Sequence, residues 1–420
     1  MRVAASDLVH GLYVAELDRP WAEVPVMFQG FVIGDDEELQ ILQRHCKYVF
    51  VDPGRSREDA ARSLEAADAE AEPEPEPSGR REGDGESSES FADARLPDKD
   101  AFRESLTEAK EHRNAAADFL DEALRGVQAG ESLDAEGTRE TVSELAAAVA
   151  RNTTASLWLT NLRERDEYTT RHAINVCVLM LAFGVHYGFD RTELERLAMG
   201  ALLMDVGMTR MPQELVNRPG PLTASGWAMM KGHTLAGVEI VKAAGYVPRE
   251  TLEIIELHHE RLDGSGYPHG LQGSQIPMHA RLAGLFDTYD EMTRPRVSQD
   301  AMPPDRVLQQ LHNEAEQTFG LALVQQFIRC VGVYPAGSLV ELDNGAAAAV
   351  LGSRPDARSR PIVLLVRTPD GETYDKRVLL NLAADPEATG PAARSVRRVL
   401  DPVAEGIDVA SIVAFEFGLG

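Results

Sequence analysis

The stretch His258-His259-Glu260-Arg261-Leu262-Asp263-Gly264-Ser265-Gly266-Tyr267-Pro268 closes an apolar helical pattern with two adjacent histidines and a glycine-rich loop. Adjacent side chains leave a helix ~100° apart, so both imidazoles reach one ion only where the helix ends and the backbone turns. Gly264 and Gly266 supply that turn and Pro268 stiffens its exit. His172, Asp205, His233 and Asp287 each lie inside an apolar helical pattern, where an unpaired polar group is costly to bury. Imidazoles and carboxylates without cysteine suit iron, manganese or zinc, and an aspartate can bridge two ions. Singly, each of these residues also reads as a hydrogen-bonded core histidine or a helix-face aspartate.

Working outward, the landmarks follow one another in order: Tyr168-Thr169-Thr170-Arg171-His172, Ala201-Leu202-Leu203-Met204-Asp205-Val206-Gly207, Lys231-Gly232-His233, the double-histidine run, and Phe286-Asp287-Thr288-Tyr289-Asp290. Over residues 150–330 this set resembles the HD-GYP family, bacterial members of the HD hydrolase superfamily that cleave cyclic di-GMP. The resemblance implies a mainly α fold, an HD-type helical bundle. It also implies a centre of divalent transition metal, iron or manganese, one or two ions per chain, that activates the water attacking phosphorus. Carried over residue by residue, one ion would use His172, Asp205 and Asp287, the other Asp205, His233, His258 and His259. Gly266, Tyr267 and Pro268 match the GYP loop. Arg296 aligns with a ligand-binding arginine and Arg294 is an additional candidate, whereas Ser298 and Gln299 replace the aromatic and second cation expected there.

Two departures matter chemically. Met204 stands where the family's doublet histidine belongs, and Met208 replaces a lysine that lies near the substrate phosphate. A thioether is a soft donor and does not replace an imidazole on iron or manganese, and Met208 removes a cation from the phosphate. Two readings follow: a phosphodiesterase that tolerates an altered first site, or a degenerate module that binds metal, nucleotide or a signalling protein partner without turnover.

The 420-residue chain, 43% apolar, is long enough for several domains. Its net charge of −26 argues against DNA, because a polyanion would be repelled, and leaves room for a small dianion in a local pocket. No run of eighteen or more apolar residues and no signal-peptide pattern occurs, and Cys46, Cys177 and Cys330 form no framework, so a cytoplasmic protein without a membrane segment is expected.

Residues 1–53 alternate as short strands at Leu12 to Ala15, Met27 to Ile33 and Tyr48 to Asp52, with a helix from Asp35 to Arg44, and read as a small α/β module. Residues 54–100, with the Glu-Pro repeats of residues 72–77, read as an acidic disordered linker. Residues 101–333 hold the helical domain. Its first two helices carry Phe102, Leu106, Phe119, Leu120 and Leu124, then Val142, Leu145 and Val149, with Gly126 and Gly130 as breakers and a homodimer seam as one use of that face. Thr192 with Glu195 reads as a capping box for a helix that runs through Leu203 to Asp205 and Gly207, with Asp205 in its final turn. Thr223 caps a helix expected to carry Trp227, Met230 and His233. A helix from Arg249 to His259 and another from Ile276 to Met292 deliver the remaining ligands. Residues 334–420 read as a small β appendage with hairpin turns at Asn344-Gly345 and Asp370-Gly371, and a tail ending in a short helix and an apolar strand.

Overall fold

The computed structural model describes residues 1–18, 31–33, 36–53, 56, 99–161, 168–216, 220, 222–245, 247–294, 301–353, 359–374, 377–383 and 395–419. Helices dominate, with one small sheet near each terminus. Nearly all of the expected linker, the residues Met27 to Gly30 of the second predicted strand, and Arg296, Ser298 and Gln299 lie outside the described residues.

The first sheet is antiparallel, in the order Arg2–Ala4, Tyr48–Val51, Tyr13–Leu17, Phe31–Val32. Its inward residues Val3, Val14 and Val49, with Leu12 just before the strand Tyr13–Leu17, form one continuous apolar cluster with Leu120, Leu145, Val178, Leu202, Ile254 and Phe286 from the helices. The second sheet, also antiparallel, runs Leu379–Asn381, Ile362–Arg367, Ala347–Gly352, Leu339–Leu342, Val396–Leu400. One of its faces buries Leu339, Ala349 and Leu364 against Leu106 of the Lys99–Gln128 helix and Trp158 of the Thr153–Leu159 helix.

Several local expectations are corrected. Gly126 lies within the Lys99–Gln128 helix, which breaks instead around Gly130, at φ 89°. The Arg191–Leu203 helix is capped by Asp190, whose carboxylate accepts from the Glu193 amide while Glu193 reaches back to the Asp190 amide. Glu195 instead pairs with Arg191 one turn away. Asp205 therefore follows the helix rather than occupying its last turn, with Met204 as the C-cap. Thr223 does cap a helix, but it ends at Met230, and His233 opens a separate helix, His233–Ala243. The histidine helix spans Arg249–Leu257 and the last site helix Met278–Thr293. The tail holds both expected elements, strand Val396–Leu400 at the sheet edge beside Leu339–Leu342 and then helix Val409–Phe417. Among the described residues no helix is long and apolar enough to cross a membrane.

The segment that turns Asp205 toward the next helices, Val206–Arg210, packs backbone to backbone on the His233–Ala243 helix. A Cβ at Gly207 would sit 1.9 Å from the His233 carbonyl oxygen and 2.6 Å from the Gly237 nitrogen. Neither backbone can yield without moving the helix that presents His233. Gly207→Ala is expected to lower unfolding stability by about 2 kcal/mol or more, the upper part of the range for overpacked sites. The midpoint of urea denaturation checks it; a parent-like midpoint would show that the two backbones are not so closely apposed.

Candidate metal centre

Four segments converge on Asp205: the Arg191–Leu203 helix that precedes it and the helices bearing His233, His258 and His172. Among the described residues, ligand atoms of Asp205, His233, His258 and His259 all lie within 4.8 Å of one another. His233 Nε2 is 3.3 Å and His258 Nε2 3.9 Å from Asp205 Oδ1, and the two nitrogens are 3.5 Å apart.

The histidine tautomers follow from their other contacts. His233 Nδ1 lies 2.7 Å from the Met230 carbonyl, and His258 Nδ1 lies 3.1 Å from the carbonyls of Ile254 and Ile255. A carbonyl only accepts, so each Nδ1 carries a proton and each ring turns its Nε2 toward Asp205. Ring nitrogens converging on a carboxylate suit a cation, and backbone acceptors that fix ligand histidines are a usual outer support of such sites.

Electrostatics point the same way. Burial opposes the charge of Asp205, but the hydrogen bond and charge of His233, with His172 and His258 behind it, outweigh burial and hold the carboxyl far below its ordinary range. Burial, then the neighbouring imidazoles His258 and His233, hold His259 well below its ordinary pKa. Burial likewise lowers His258. His233 is raised, because the Asp205 hydrogen bond overcomes its burial. His258 and His259, held toward their neutral forms beside an ionised carboxylate, offer nitrogen and oxygen donors of the kind a transition metal takes.

His172 sits differently. Its Nδ1 is 2.8 Å from Asp290 Oδ2, and its Nε2 is 3.0 Å from Asp287 Oδ1 and 3.8 Å from Asp205 Oδ2. Burial disfavours its charge, yet the two flanking carboxylates raise its pKa well above the ordinary value. Asp287 Oδ2 also lies 3.7 Å from His259 Nδ1, so the six histidine and aspartate positions expected from the sequence form one continuous network. Met204 does not join it by a polar contact: its side chain is 0% exposed within the main apolar core. Met208 is half-buried. Arg294 donates to Asp290 at 2.9 Å, which commits its guanidinium inside the protein. The network opens at one side, where the side chains of Asp205 and His259 keep 15% and 18% exposure against 5% or less for His172, His233, His258 and Asp287.

The glycine-rich loop forms the rim. A Cβ at Gly266 would lie 2.5 Å from the Arg261 nitrogen, the Glu260 Cα and the His259 oxygen, so only glycine fits there. Tyr267 stacks on His259, with centroids 4.5 Å apart and planes at 25°. Two residues without an assigned role in the sequence emerge here. Buried Glu260 accepts from the amides of His269 at 2.7 Å, Gly270 at 3.1 Å and Leu271 at 2.9 Å, pinning the loop to the end of the histidine helix. Asp290 orients His172. An acidic residue before a glycine-rich loop, and an aspartate one turn after Asp287, were the available signals.

Two family models match the chain: one described as HD domain over residues 154–323, and one described as a domain of unknown function (DUF3391) over residues 1–138. The cyclic di-GMP phosphodiesterase PA4108 of Pseudomonas aeruginosa is 27% identical, over 83% of this chain and 81% of that protein. The cyclic di-GMP phosphodiesterase response regulator RpfG of Xanthomonas campestris is 30% identical over 46% of this chain and 48% of its own length. The 3'3'-cGAMP-specific phosphodiesterase 2 of Vibrio cholerae is 30% identical over 38% and 31%. Among solved structures, Bd1817, a HDG"Y"P protein from Bdellovibrio bacteriovorus, is 18% identical and aligns over 78% of this chain and 98% of that one, at a TM-score of 0.45, too loose a superposition to carry an argument.

Replacing Glu260 by Gln leaves one carbonyl oxygen where two carboxylate oxygens serve three amides. Glu260→Gln is expected to cost about 1–3 kcal/mol and to raise amide exchange in residues 267–271. Hydrogen exchange read segment by segment checks it, and unchanged protection there would show that the loop is held by other contacts.

Proposed function

The chain belongs to the HD-GYP family, and from that premise we propose that it is a protein of cyclic di-GMP signalling that holds one divalent transition metal, binds a cyclic dinucleotide and turns it over weakly or not at all. The observation that carries this reading is the asymmetry of the site. Asp205, His233, His258 and His259 gather their ligand atoms within 4.8 Å, while position 204 offers a methionine buried in the core. In this reading those four residues hold the ion, iron or manganese by the hardness of its nitrogen and oxygen donors. A metal held there would polarise a phosphoryl oxygen and acidify a water.

The chain's own residues would do the rest. His233 and His258 are locked by backbone carbonyls with Nε2 facing inward, and Asp205 and His259 face the opening through which a phosphodiester arrives. Tyr267 shields the outer face of His259. His172 and Asp287 remain from the other half of the site, but His172 is engaged by two carboxylates and position 208 supplies no cation for the phosphate. A protein partner that reads the bound state belongs to the same proposal.

A second reading, an active phosphodiesterase that tolerates the altered half, draws support from the alignment with 81% of the length of a cyclic di-GMP phosphodiesterase. His172, Asp205 and Asp287 would then hold a second ion with water in place of the missing imidazole.

Metal content and turnover on one preparation separate the two. The purified chain is expected to carry about one transition metal, lost in both His258→Ala and His259→Ala with a lowered melting temperature, because a buried carboxylate would be left partly uncompensated. Two tightly held ions, or metal retained in both variants, would defeat the one-ion reading.

Restoring the lost groups tests the assignment of inactivity. Met204→His should raise metal occupancy and Met208→Lys should not, and only the double variant should gain cyclic di-GMP hydrolysis, on the order of 100-fold over the parent. Substantial hydrolysis by the unmodified chain, abolished by His259→Ala, would establish the tolerant enzyme instead.

A further inference from the structure

Beside the opening stands a wall of residues that no ligand set includes. Trp227, on the Ala224–Met230 helix, keeps 50% of its surface exposed. Its ring meets Tyr267 edge-on at 6.2 Å and 72°, and Tyr267 in turn lies on His259, so aromatic rings lead from the buried network out to solvent. One helical turn beyond Trp227, Lys231 Nζ sits 5.1 Å from the Tyr267 ring centroid and 5.9 Å from that of Trp227.

The cations around the site are not equivalent. Arg294 is bound to Asp290, and Arg261 donates to the carbonyls of His258 and Glu260 and to Thr288. Lys231 makes no ion pair among the described residues. In a chain of net charge −26, an uncompensated ammonium beside an exposed indole makes a local place for an anion that carries a flat ring. A phosphodiester drawn to the opening at Asp205 and His259 would carry its bases outward along this wall.

We propose that Trp227 and Lys231 form the nucleotide-gripping wall of the site: the exposed indole packs against one purine of a cyclic dinucleotide, and the Lys231 ammonium meets the phosphodiester in place of the cation missing at position 208. This rests on reading the neighbouring network as a phosphodiester-binding centre. Stacking on an aromatic face tolerates either purine, so the wall provides grip and leaves base identity to other contacts.

Calorimetric titration of the full-length, metal-loaded chain with cyclic di-GMP tests the assignment, with Trp227→Ala, Trp227→Phe and Lys231→Met measured alongside for affinity, metal content and melting temperature. Trp227→Ala should bind at least ~10-fold more weakly and Trp227→Phe within ~3-fold of the parent. Lys231→Met should weaken binding and flatten its dependence on ionic strength. Metal content and melting temperature should stay at the parent's values. A parent that binds, with Trp227→Ala and Lys231→Met binding as tightly, would overturn the wall and leave the functional reading standing. A parent that carries metal but binds no cyclic di-GMP would overturn both.

Discussion

An ionised carboxylate under the surface, Asp205, is the constraint to which the helical domain answers. Burying such a charge is costly unless partners surround it. Here the partners come from helices distant in sequence, His172, His233 and His258, so the helices must cross closely enough for imidazoles to meet one oxygen pair. Glycines set those crossings. Gly207 lets the turn after Asp205 touch the helix of His233, and at Gly284 a Cβ would lie 2.2 Å from the His258 oxygen, so the Met278–Thr293 helix rides directly on the histidine end of its neighbour. The apolar core supplies the driving force for assembly, and small residues at the crossings decide where the polar groups arrive.

The parts of this arrangement that were legible in the sequence are those encoded by residue type and order. Two histidines before a glycine-rich loop, with His172, His233 and two aspartates inside apolar helical patterns, mark the six positions of the network, and their resemblance in order to the HD-GYP family is what joined them into one site. Exact helix ends were less legible. Asp190 and Thr192 each precede a glutamate by three residues, giving two overlapping capping boxes, of which the one at Asp190 forms, two residues after the turn at Gly188, with φ 87°. The break before His233 has no proline to announce it. It matters because His233, as the first residue of its helix, can donate Nδ1–H to the Met230 carbonyl of the preceding one.

What sequence reading could not supply were pairings decided in three dimensions. Arg294 stands one turn from Asp290, and that spacing made an ion pair available, yet it equally suited a ligand contact. The competition was settled by Asp290 itself, which already faces His172 and Asn175 in the core and so needs a cation nearby. Glu260 follows the same logic: its three amide donors belong to a loop that returns only after Pro268, so nothing within a helical window could assign it.

The consequence of methionine at position 204 is best seen as a change in what the fold requires. A buried imidazole at the end of the Arg191–Leu203 helix would need a hydrogen-bond partner or a cation to offset its desolvation. Met204 needs neither and packs with the core. On the other side, His233 and His258 keep their Nε2 atoms aimed at one carboxylate and at each other, 3.5 Å apart, where a proton or a cation is accommodated between them. On the proposed one-ion reading, methionine at this position separates the two halves: an ion would stabilise the half that holds His233 and His258, and the half beside Met204 would fold without one.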